Sequence, residues 1–119
     1  MIKTASIIDK PWGHEEIWAE SEAYVGKILV IRAGHRLSLQ HHEIKEETVR
    51  LQSGRMALEL QNEAGEMEVH DVTPGQAFHI FPGRKHRMTA IEDCEVLEVS
   101  TPQLQDVVRH SDDYGRKGT

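Results

Sequence analysis

Apolar and polar residues alternate one by one along most of the chain, and this period of two is the feature that most constrains the fold. In ETVRLQSG, Glu47, Val49 and Leu51 share one parity, and the residues between them, which are polar, share the other. Successive side chains of a β-strand point to opposite faces, so the pattern predicts strands with one buried face. No helical stripe precedes the tail, where PQLQDVVRH is expected to form one or two helical turns.

The predicted strands are short and are regularly interrupted by turn residues. Pro-Gly pairs occur at 74–75 and 82–83, and NEAG separates the two halves of RMALELQNEAGEMEVHDV, which reads as a hairpin. Short strands with turn signals roughly every 8–12 residues are typical of all-β sandwiches and small barrels. Each half of the chain holds an alternating strand pair and a histidine-bearing turn, which favours a jelly roll of paired Greek keys. We expect a single domain over residues 1–119.

Charge and apolar composition exclude several classes of function. A net charge of −6 argues against a nucleic-acid-binding surface, which normally needs a basic face. The longest apolar stretch, Ile28 to Ile31, is far too short to span a bilayer, so no membrane partner is expected. The first residues lack the apolar run of a signal peptide, and the single cysteine, Cys94, excludes an intrachain disulfide. A cytoplasmic location is therefore the expectation.

Histidines and acidic residues cluster around one predicted turn. The chain has eight histidines among its 119 residues, and histidine is the commonest metal ligand. Strand alternation places Gln40 and His42 on one face, about 6.5–7 Å apart, and turns His41 away. Glu47 follows on the returning strand, and His86 follows the second Pro-Gly turn. These four side chains predict an octahedral metal site with open positions; the alternative is a wet, polar cavity without an ion.

Two segments resemble the motifs of a known superfamily. The stretch GHRLSLQHHEIKEETVRLQSG, from Gly34 to Gly54, resembles the first cupin motif, with Gln40 where most cupins have their first histidine. The stretch from Gly75 to His86 is similar to the second motif, although its proline comes one position late and its closing asparagine is replaced by alanine. The resemblance implies the cupin double-stranded β-helix, a jelly-roll barrel, followed by a short C-terminal tail.

Further segments resemble the C-terminal cupin domain of type II phosphomannose isomerases. Glutamine as first ligand after LS is typical of these enzymes, as are KPWGHEEIW near the start and the DDYGR tail, so the likeness runs from Pro11 to Arg116. It implies one divalent transition metal (zinc, manganese, iron, nickel or cobalt) and a small-molecule sugar or sugar phosphate as substrate. The usual histidine-rich turn is replaced by His42, Glu43 and Ile44, and without a nucleotidyltransferase domain we expect no guanylyl transfer.

The resemblance implies a metal-dependent isomerase that interconverts the aldose and ketose forms of a sugar through an enediolate. Such an enzyme needs a proton-transfer base and, for a phosphosugar, a cationic subsite. The base is left open among Lys45, Glu46 and a Glu47 detached from the ion. Arginine forks suit phosphate, and we favour Arg109 in the family-like tail. Our catalytic candidates are therefore Arg109 and Lys45. Arg36 and Arg87, which lie beside the two ligand segments, are the substrate-binding candidates.

Two other functions stay open. A non-catalytic sugar-binding or sensing cupin would keep the pocket without the base, and an iron-dependent dioxygenase is disfavoured by glutamine at position 40.

Trp12 and Trp18 are expected to anchor the N-terminal strand by apolar packing rather than to stack on a sugar. We also expect a homodimer, with the N-terminal segment that contains Ile7, Ile8, Trp12 and Trp18 as the contact.

Overall fold

The computed structural model describes residues 2–116, which form eleven β-strands and no helix. The strands are β1 (Ser6–Lys10), β2 (Gly13–Glu20), β3 (Val25–Ile31), β4 (Leu39–His41), β5 (Glu47–Ser53), β6 (Met56–Gln61), β7 (Met67–Val72), β8 (Ala77–Ile80), β9 (His86–Ala90), β10 (Cys94–Ser100) and β11 (Val108–Ser111). The predicted all-β class is confirmed. Position 1 and positions 117–119 of the predicted domain lie outside the described residues. Within 2–116, no helix is long and apolar enough to cross a membrane.

The strands form two antiparallel sheets that face each other. The first sheet has the order β1-β2-β3-β10-β5-β8, and the second has the order β11-β4-β9-β6-β7. Neighbours such as β3 and β10 are distant in sequence, as a jelly roll requires. In the second sheet, Gln40 pairs with His86 on one side and with Arg109 on the other. The topology therefore places three predicted site residues side by side on adjacent strands.

The core lies between the sheets and follows the predicted alternation. In β5, Glu47, Val49 and Leu51 are buried, whereas the residues between them are exposed. In β6, Met56, Leu58 and Leu60 point inward in the same way. The buried apolar cluster comprises Trp12, Leu29, Ile31, Leu37, Val49, Leu51, Met56, Leu58, Leu60, Val72, Ile80, Met88, Ala90, Cys94 and Val96. Burial of this apolar surface is the main source of stability that the fold offers.

The glycine that closes the first motif is required by a close backbone approach. Gly54 links β5 to β6 with a φ of 91°, in the region that favours glycine. A Cβ atom at this position would lie 2.2 Å from the carbonyl oxygen of Asp93. Any other residue would push the β5–β6 turn away from the strand that follows Asp93.

The two tryptophans have different environments. Trp12 is 2% exposed and belongs to the core, as predicted. Trp18 is 61% exposed and lies over Gly26 on the outer face of the first sheet, so it packs on the sheet surface and not in the core. Glu15 and Ile17 line a cavity, so strand alternation turns Trp18 to the opposite face; the pairing of β2 with β3 shifts at this residue.

The prediction of helical turns in the tail is also wrong. Residues 108–111 form β11, which pairs with β4 at the edge of the second sheet. Val107 and Val108 are β-branched and therefore suit an extended conformation. The free edge of β4 supplies hydrogen-bond partners that an isolated segment would lack. Tertiary pairing decides the conformation here.

Candidate metal centre

Three buried side chains from both sheets meet at one point. Glu47 Oε1 lies 3.6 Å from His42 Nε2 and 3.4 Å from His86 Nε2. The potential ligand atoms of the three residues all lie within 4.8 Å of one another. Glu47 begins β5, His86 begins β9, and His42 directly follows β4. The centre therefore forms only when the two sheets are packed together.

Each imidazole is oriented by a hydrogen bond on its far side. His42 Nδ1 donates to the carbonyl oxygen of Asp106 at 2.6 Å, and His86 Nδ1 donates to the carbonyl oxygen of Arg84 at 2.9 Å. These bonds direct the Nε2 atom of both rings toward Glu47. Backbone carbonyls commonly fix metal-binding histidines in this way.

Asp106 also holds the turn that carries the first ligands. Its carboxylate accepts hydrogen bonds from the backbone N–H groups of Glu43, Ile44 and Lys45, at 2.7–3.1 Å. Partial burial disfavours the charged carboxylate, but these donors outweigh it and lower the pKa of Asp106. Sequence reasoning missed Asp106, because nothing local to the tail indicates that it contacts the turn after β4.

The charge of Glu47 is stabilised despite its burial. Burial alone would raise the pKa of the carboxyl, but the facing rings of His42 and His86 and the ammonium of Lys45 lower it well below its usual range. Glu47 is therefore a carboxylate at neutral pH. An anionic oxygen between two imidazole nitrogens suits a cation.

Lys45 connects the centre to a buried chain of ion pairs. Its Nζ lies 3.0 Å from Glu47 Oε2 and 3.0 Å from Glu98 Oε2. Lys27 continues the chain, at 3.7 Å from Glu98 Oε2 and 3.2 Å from Glu15 Oε2. We call these five residues the buried ion-pair chain. The sequence does not predict that Lys27 and Glu98 lie beside the site.

Lys45 and Glu98 respond differently to burial. Burial disfavours the Lys45 ammonium, but attraction by Glu98 and Glu47 outweighs this cost and raises the pKa of Lys45. Burial and the nearby Glu47 carboxylate raise the pKa of Glu98, while Lys45 and Lys27 act in the opposite direction. Lys45 is therefore protonated at neutral pH, so it can donate hydrogen bonds but cannot act as a base.

A cavity of about 170 Å³ opens beside the centre. Gln40, His42 and Glu47 line it on one side, and Arg109 and Arg116 also line it. Burial and the nearby charge of Arg116 lower the pKa of Arg109, although a guanidinium stays charged at neutral pH. The cavity therefore brings the metal-ligand candidates and two guanidinium groups to one space.

Arg116 is held in place by the tail. Asp112 receives two hydrogen bonds from its guanidinium, at 2.8 and 3.0 Å, and a third from its backbone N–H at 2.7 Å. The sequence predicts no role for Arg116 beyond its place at the end of the family-like tail. Its contribution to the cavity depends on how the tail folds back.

Other predicted residues lie outside the cavity lining. Arg36 forms a bidentate ion pair with Asp113 on the surface, at 2.7 and 2.8 Å. Arg87 is buried and donates to the carbonyl oxygens of Leu37 and Ser111, which ties β9 to the tail. The structure thus gives both arginines structural partners and does not bring them to the candidate centre.

Glu46 and His41 also point away from the cavity. Glu46 contacts the exposed ring of His79 at 2.6 Å. His41 faces away from the centre, as its parity predicts, and stacks on His110 with ring centroids 4.9 Å apart. Of the candidate bases, only Lys45 and Glu47 therefore line the cavity.

The donor set fits a divalent transition metal. Two imidazoles and a carboxylate are typical ligands of zinc, manganese, iron, nickel and cobalt. Gln40 lines the same cavity on the strand beside His86, where its amide oxygen is a further donor. His86 Nε2 is fully buried and makes no hydrogen bond within residues 2–116. A buried ring nitrogen without a hydrogen-bond partner is costly unless a bound ligand satisfies it.

Solved structures share the fold at low sequence identity. KdgF from Halomonas sp. matches with a TM-score of 0.71 and 22% identity, over 82% of this chain and 86% of that chain. Oxalate decarboxylase from Bacillus subtilis at pH 4.6 matches with a TM-score of 0.77 and 17% identity, over 89% of this chain and 30% of that chain. A structure used to study the Mn(II) centres of the same decarboxylase matches with a TM-score of 0.68 and 20% identity, over 86% of this chain and 31% of that chain.

The chain thus spans about 30% of the length of the decarboxylase. No curated protein matches the chain at a significant level. The sequence model of the family described as "Mannose-6-phosphate isomerase C-terminal" matches residues 2–112, which is nearly the whole chain. The structural neighbours have the cupin jelly roll. The chain therefore belongs to the mannose-6-phosphate isomerase C-terminal family of cupins.

Proposed function

We propose that the protein is a metal-dependent isomerase that interconverts the aldose and ketose forms of a sugar or sugar phosphate. The observation that carries this proposal is the buried His42–Glu47–His86 cluster beside a cavity that Arg109 also lines. Membership in the mannose-6-phosphate isomerase C-terminal family supports the choice of reaction. Fold alone would not support it, because cupins and other common folds host many chemistries.

His42, Glu47 and His86 hold one divalent transition metal, with the Gln40 amide oxygen as the fourth protein ligand. Zinc, manganese, iron, nickel and cobalt all accept this donor set, and manganese gains support from the Mn(II) centres of the related fold. When bound, a divalent ion supplies Lewis-acid stabilisation of the negative charge that develops on the sugar oxygens. The hydrogen bonds from His42 and His86 to backbone carbonyls keep both rings in place for this role.

Arg109 binds the phosphate of a phosphorylated substrate. It lies on β11 directly opposite Gln40, so a sugar that reaches the metal ligands also reaches its guanidinium. Arginine recognises phosphate through paired hydrogen bonds, which fix orientation as well as adding affinity. Arg116 lines the same cavity and adds a second positive charge.

Lys45 acts as a cation and hydrogen-bond donor at the cavity wall. Its raised pKa keeps it protonated, and its ion pairs with Glu47 and Glu98 hold the ammonium beside the ligand cluster. This position suits stabilisation of an enediolate oxygen as the proton is transferred. Lys45 is not the base, because a protonated amine has no free electron pair.

A non-catalytic sugar-binding protein is the second candidate. Glu15, Glu47 and Glu98 are the glutamates that line the cavity, and each is paired with a lysine. A carboxylate that is committed to an ion pair is a weaker base than a free one. This observation favours binding without proton transfer.

The proposal is tested with protein purified without chelators, analysed for metal content and then loaded separately with each of the five metals. Each form is incubated with mannose 6-phosphate, fructose 6-phosphate and a panel of unphosphorylated aldoses, and products are followed by chromatography. Interconversion that disappears with chelator supports the isomerase. Thermal stabilisation by a sugar without turnover supports the binding protein instead.

We also propose that the chain forms a homodimer through its N-terminal hairpin. Ile7 and Trp18 are exposed on β1 and β2, which supports this contact, whereas Trp12 is buried within its own core and is unavailable. Light scattering of the wild-type protein and of Trp18→Ser tests the proposal. A dimer in the former and a monomer in the latter is the expected result.

A further inference from the structure

Glu98 is a buried carboxylate that is connected to the candidate metal centre through Lys45. Lys45 forms ion pairs with both Glu98 and Glu47. Glu98 sits on β10 of the first sheet, and its Oε2 atom faces Lys45 at 3.0 Å and Lys27 at 3.7 Å. Both of these ammonium groups are themselves buried. Glu98 does not belong to the His42–Glu47–His86 cluster, so any role in metal binding must be indirect.

The two oxygens of Glu47 have different partners. Oε1 faces the imidazoles of His42 and His86, whereas Oε2 faces Lys45 at 3.0 Å. Lys45 therefore fixes the rotation of the carboxylate and directs a single oxygen toward the cluster. Ligands held in this way by an outer partner bind metal more tightly than ligands that are free to rotate.

The positive charge of Lys45 disfavours cation binding at Glu47, and Glu98 reduces this repulsion. A buried ammonium next to Glu47 would repel a divalent cation on the other oxygen of the same carboxylate, because charges interact strongly in a low-dielectric interior. Glu98 contacts the same ammonium and offsets its charge. The opposing demands of fixing Glu47 and of not repelling a cation are both met by the Lys45–Glu98 pair.

We propose that Glu98 is a positioning residue for metal binding, which acts through Lys45 to orient Glu47 and to balance the lysine charge beside the cation. The inference rests on the metal site of the proposed function. It does not require sugar turnover, so a protein that binds metal but isomerises nothing would contradict the proposed reaction and leave this inference standing.

The test measures metal affinity in Glu98→Gln by competition with a chromophoric chelator, using zinc and cobalt(II). Affinity is expected to fall about 10-fold, the lower end of the range found for outer partners of metal ligands, because Glu98 acts through Lys45. The visible spectrum of the cobalt form should also change, because Glu47 is no longer held in one orientation. Glu95→Gln is the matched control, since Glu95 lies exposed on the same strand. Circular dichroism of the metal-free proteins checks that each variant is folded.

A double-mutant cycle separates action through Lys45 from a direct effect of charge. In a Lys45→Met background, Glu98→Gln should change metal affinity by no more than about twofold, as expected when the connecting group is gone. Glu98→Asp keeps the charge but shortens the side chain, and it should also weaken binding. It can stand in for Glu98→Gln if that variant does not fold.

Three results would overturn the inference. One is an equal loss of affinity from Glu98→Gln in both backgrounds, which would indicate a direct charge effect. Another is wild-type affinity together with a wild-type cobalt spectrum in Glu98→Gln or Glu98→Asp. The third is a wild-type protein that binds neither zinc nor cobalt, which would also remove the metal site of the proposed function.

Discussion

Glu47 Oε1 lies 3.4 Å from His86 Nε2, and this contact joins the two sheets of the barrel. Glu47 starts β5 in the first sheet, and His86 starts β9 in the second. A cation bound between them would link both sheets, so metal binding and folding should be coupled. The same pair lies beside the cavity that Arg109 lines, which connects the stability of the barrel to its chemistry.

Replacing Arg109 by alanine should raise KM for a phosphorylated substrate about 10- to 100-fold, because a charge-assisted hydrogen bond contributes roughly 1.5–3 kcal/mol. An unphosphorylated sugar should be affected much less. Steady-state kinetics with both substrates measure the difference. Arg55→Ala is the matched control, since Arg55 pairs with Asp71 on the surface away from the cavity. An equal effect of Arg109→Ala on both substrates would contradict a phosphate-binding role.

Replacing Asp106 by asparagine should destabilise the fold by about 1 kcal/mol and weaken metal binding, because an amide cannot accept all three hydrogen bonds from the turn that carries Lys45. Urea unfolding and a metal titration provide the two measurements. Asp9→Asn serves as the control, because Asp9 is exposed on β1. Unchanged metal affinity would show that the turn is held in place without this carboxylate.

The stability of the metal-free protein should depend on pH through Asp112. The Arg116 guanidinium lowers the pKa of this carboxyl, although its burial acts in the opposite direction. A carboxyl whose pKa is lower in the folded state contributes stability above its unfolded pKa of about 3.9 and loses it as pH falls through the folded value. Asp112→Asn should therefore lower the free energy of unfolding by about 1–2 kcal/mol at pH 7. The difference from wild type should shrink below about pH 3.5.

Urea unfolding at a series of pH values measures this dependence, with Asp9→Asn as the control. A difference between Asp112→Asn and wild type that stays constant from pH 7 to pH 3 would contradict the ion-pair account. Such a constant difference would indicate that the side chain contributes by packing or neutral hydrogen bonding.

The strands and the inward orientation of Glu47 follow from local rules, whereas the approach of His86 to Glu47 depends on the packing of the two sheets. Alternation alone places Glu47 on the buried face of β5 with Val49 and Leu51, and it separates His41 from His42. The turn residues then mark where each strand ends. These features are predictable because the information lies within a few neighbouring residues.

The buried ion-pair chain could not be predicted in the same way. In CEVLEVS both strand faces carry apolar residues, so parity does not show whether Glu98 or Val99 points inward. In the structure Glu98 is buried and Val99 is 55% exposed. The choice depends on Lys27 and Lys45, which reach Glu98 only after the sheets have formed.

The structure of the tail also could not be predicted from its local sequence. β11 exists because β4 has a free edge, and Asp106 matters because the tail brings it to the turn after β4. Neither the pairing of β11 with β4 nor the contact of Asp106 with the turn can be predicted from the residues of the tail alone.

The most direct test of the account is a metal titration of the purified, metal-free protein by calorimetry, comparing wild type with Glu47→Gln and Glu46→Gln. Glu47 lies at the buried cluster, whereas its neighbour Glu46 contacts His79 on the surface. We expect wild type and Glu46→Gln to bind one divalent transition metal ion per chain and Glu47→Gln to bind at least about 100-fold more weakly, because it lacks the anionic ligand. Equal affinity in all three proteins, or no binding in wild type, would contradict the metal centre.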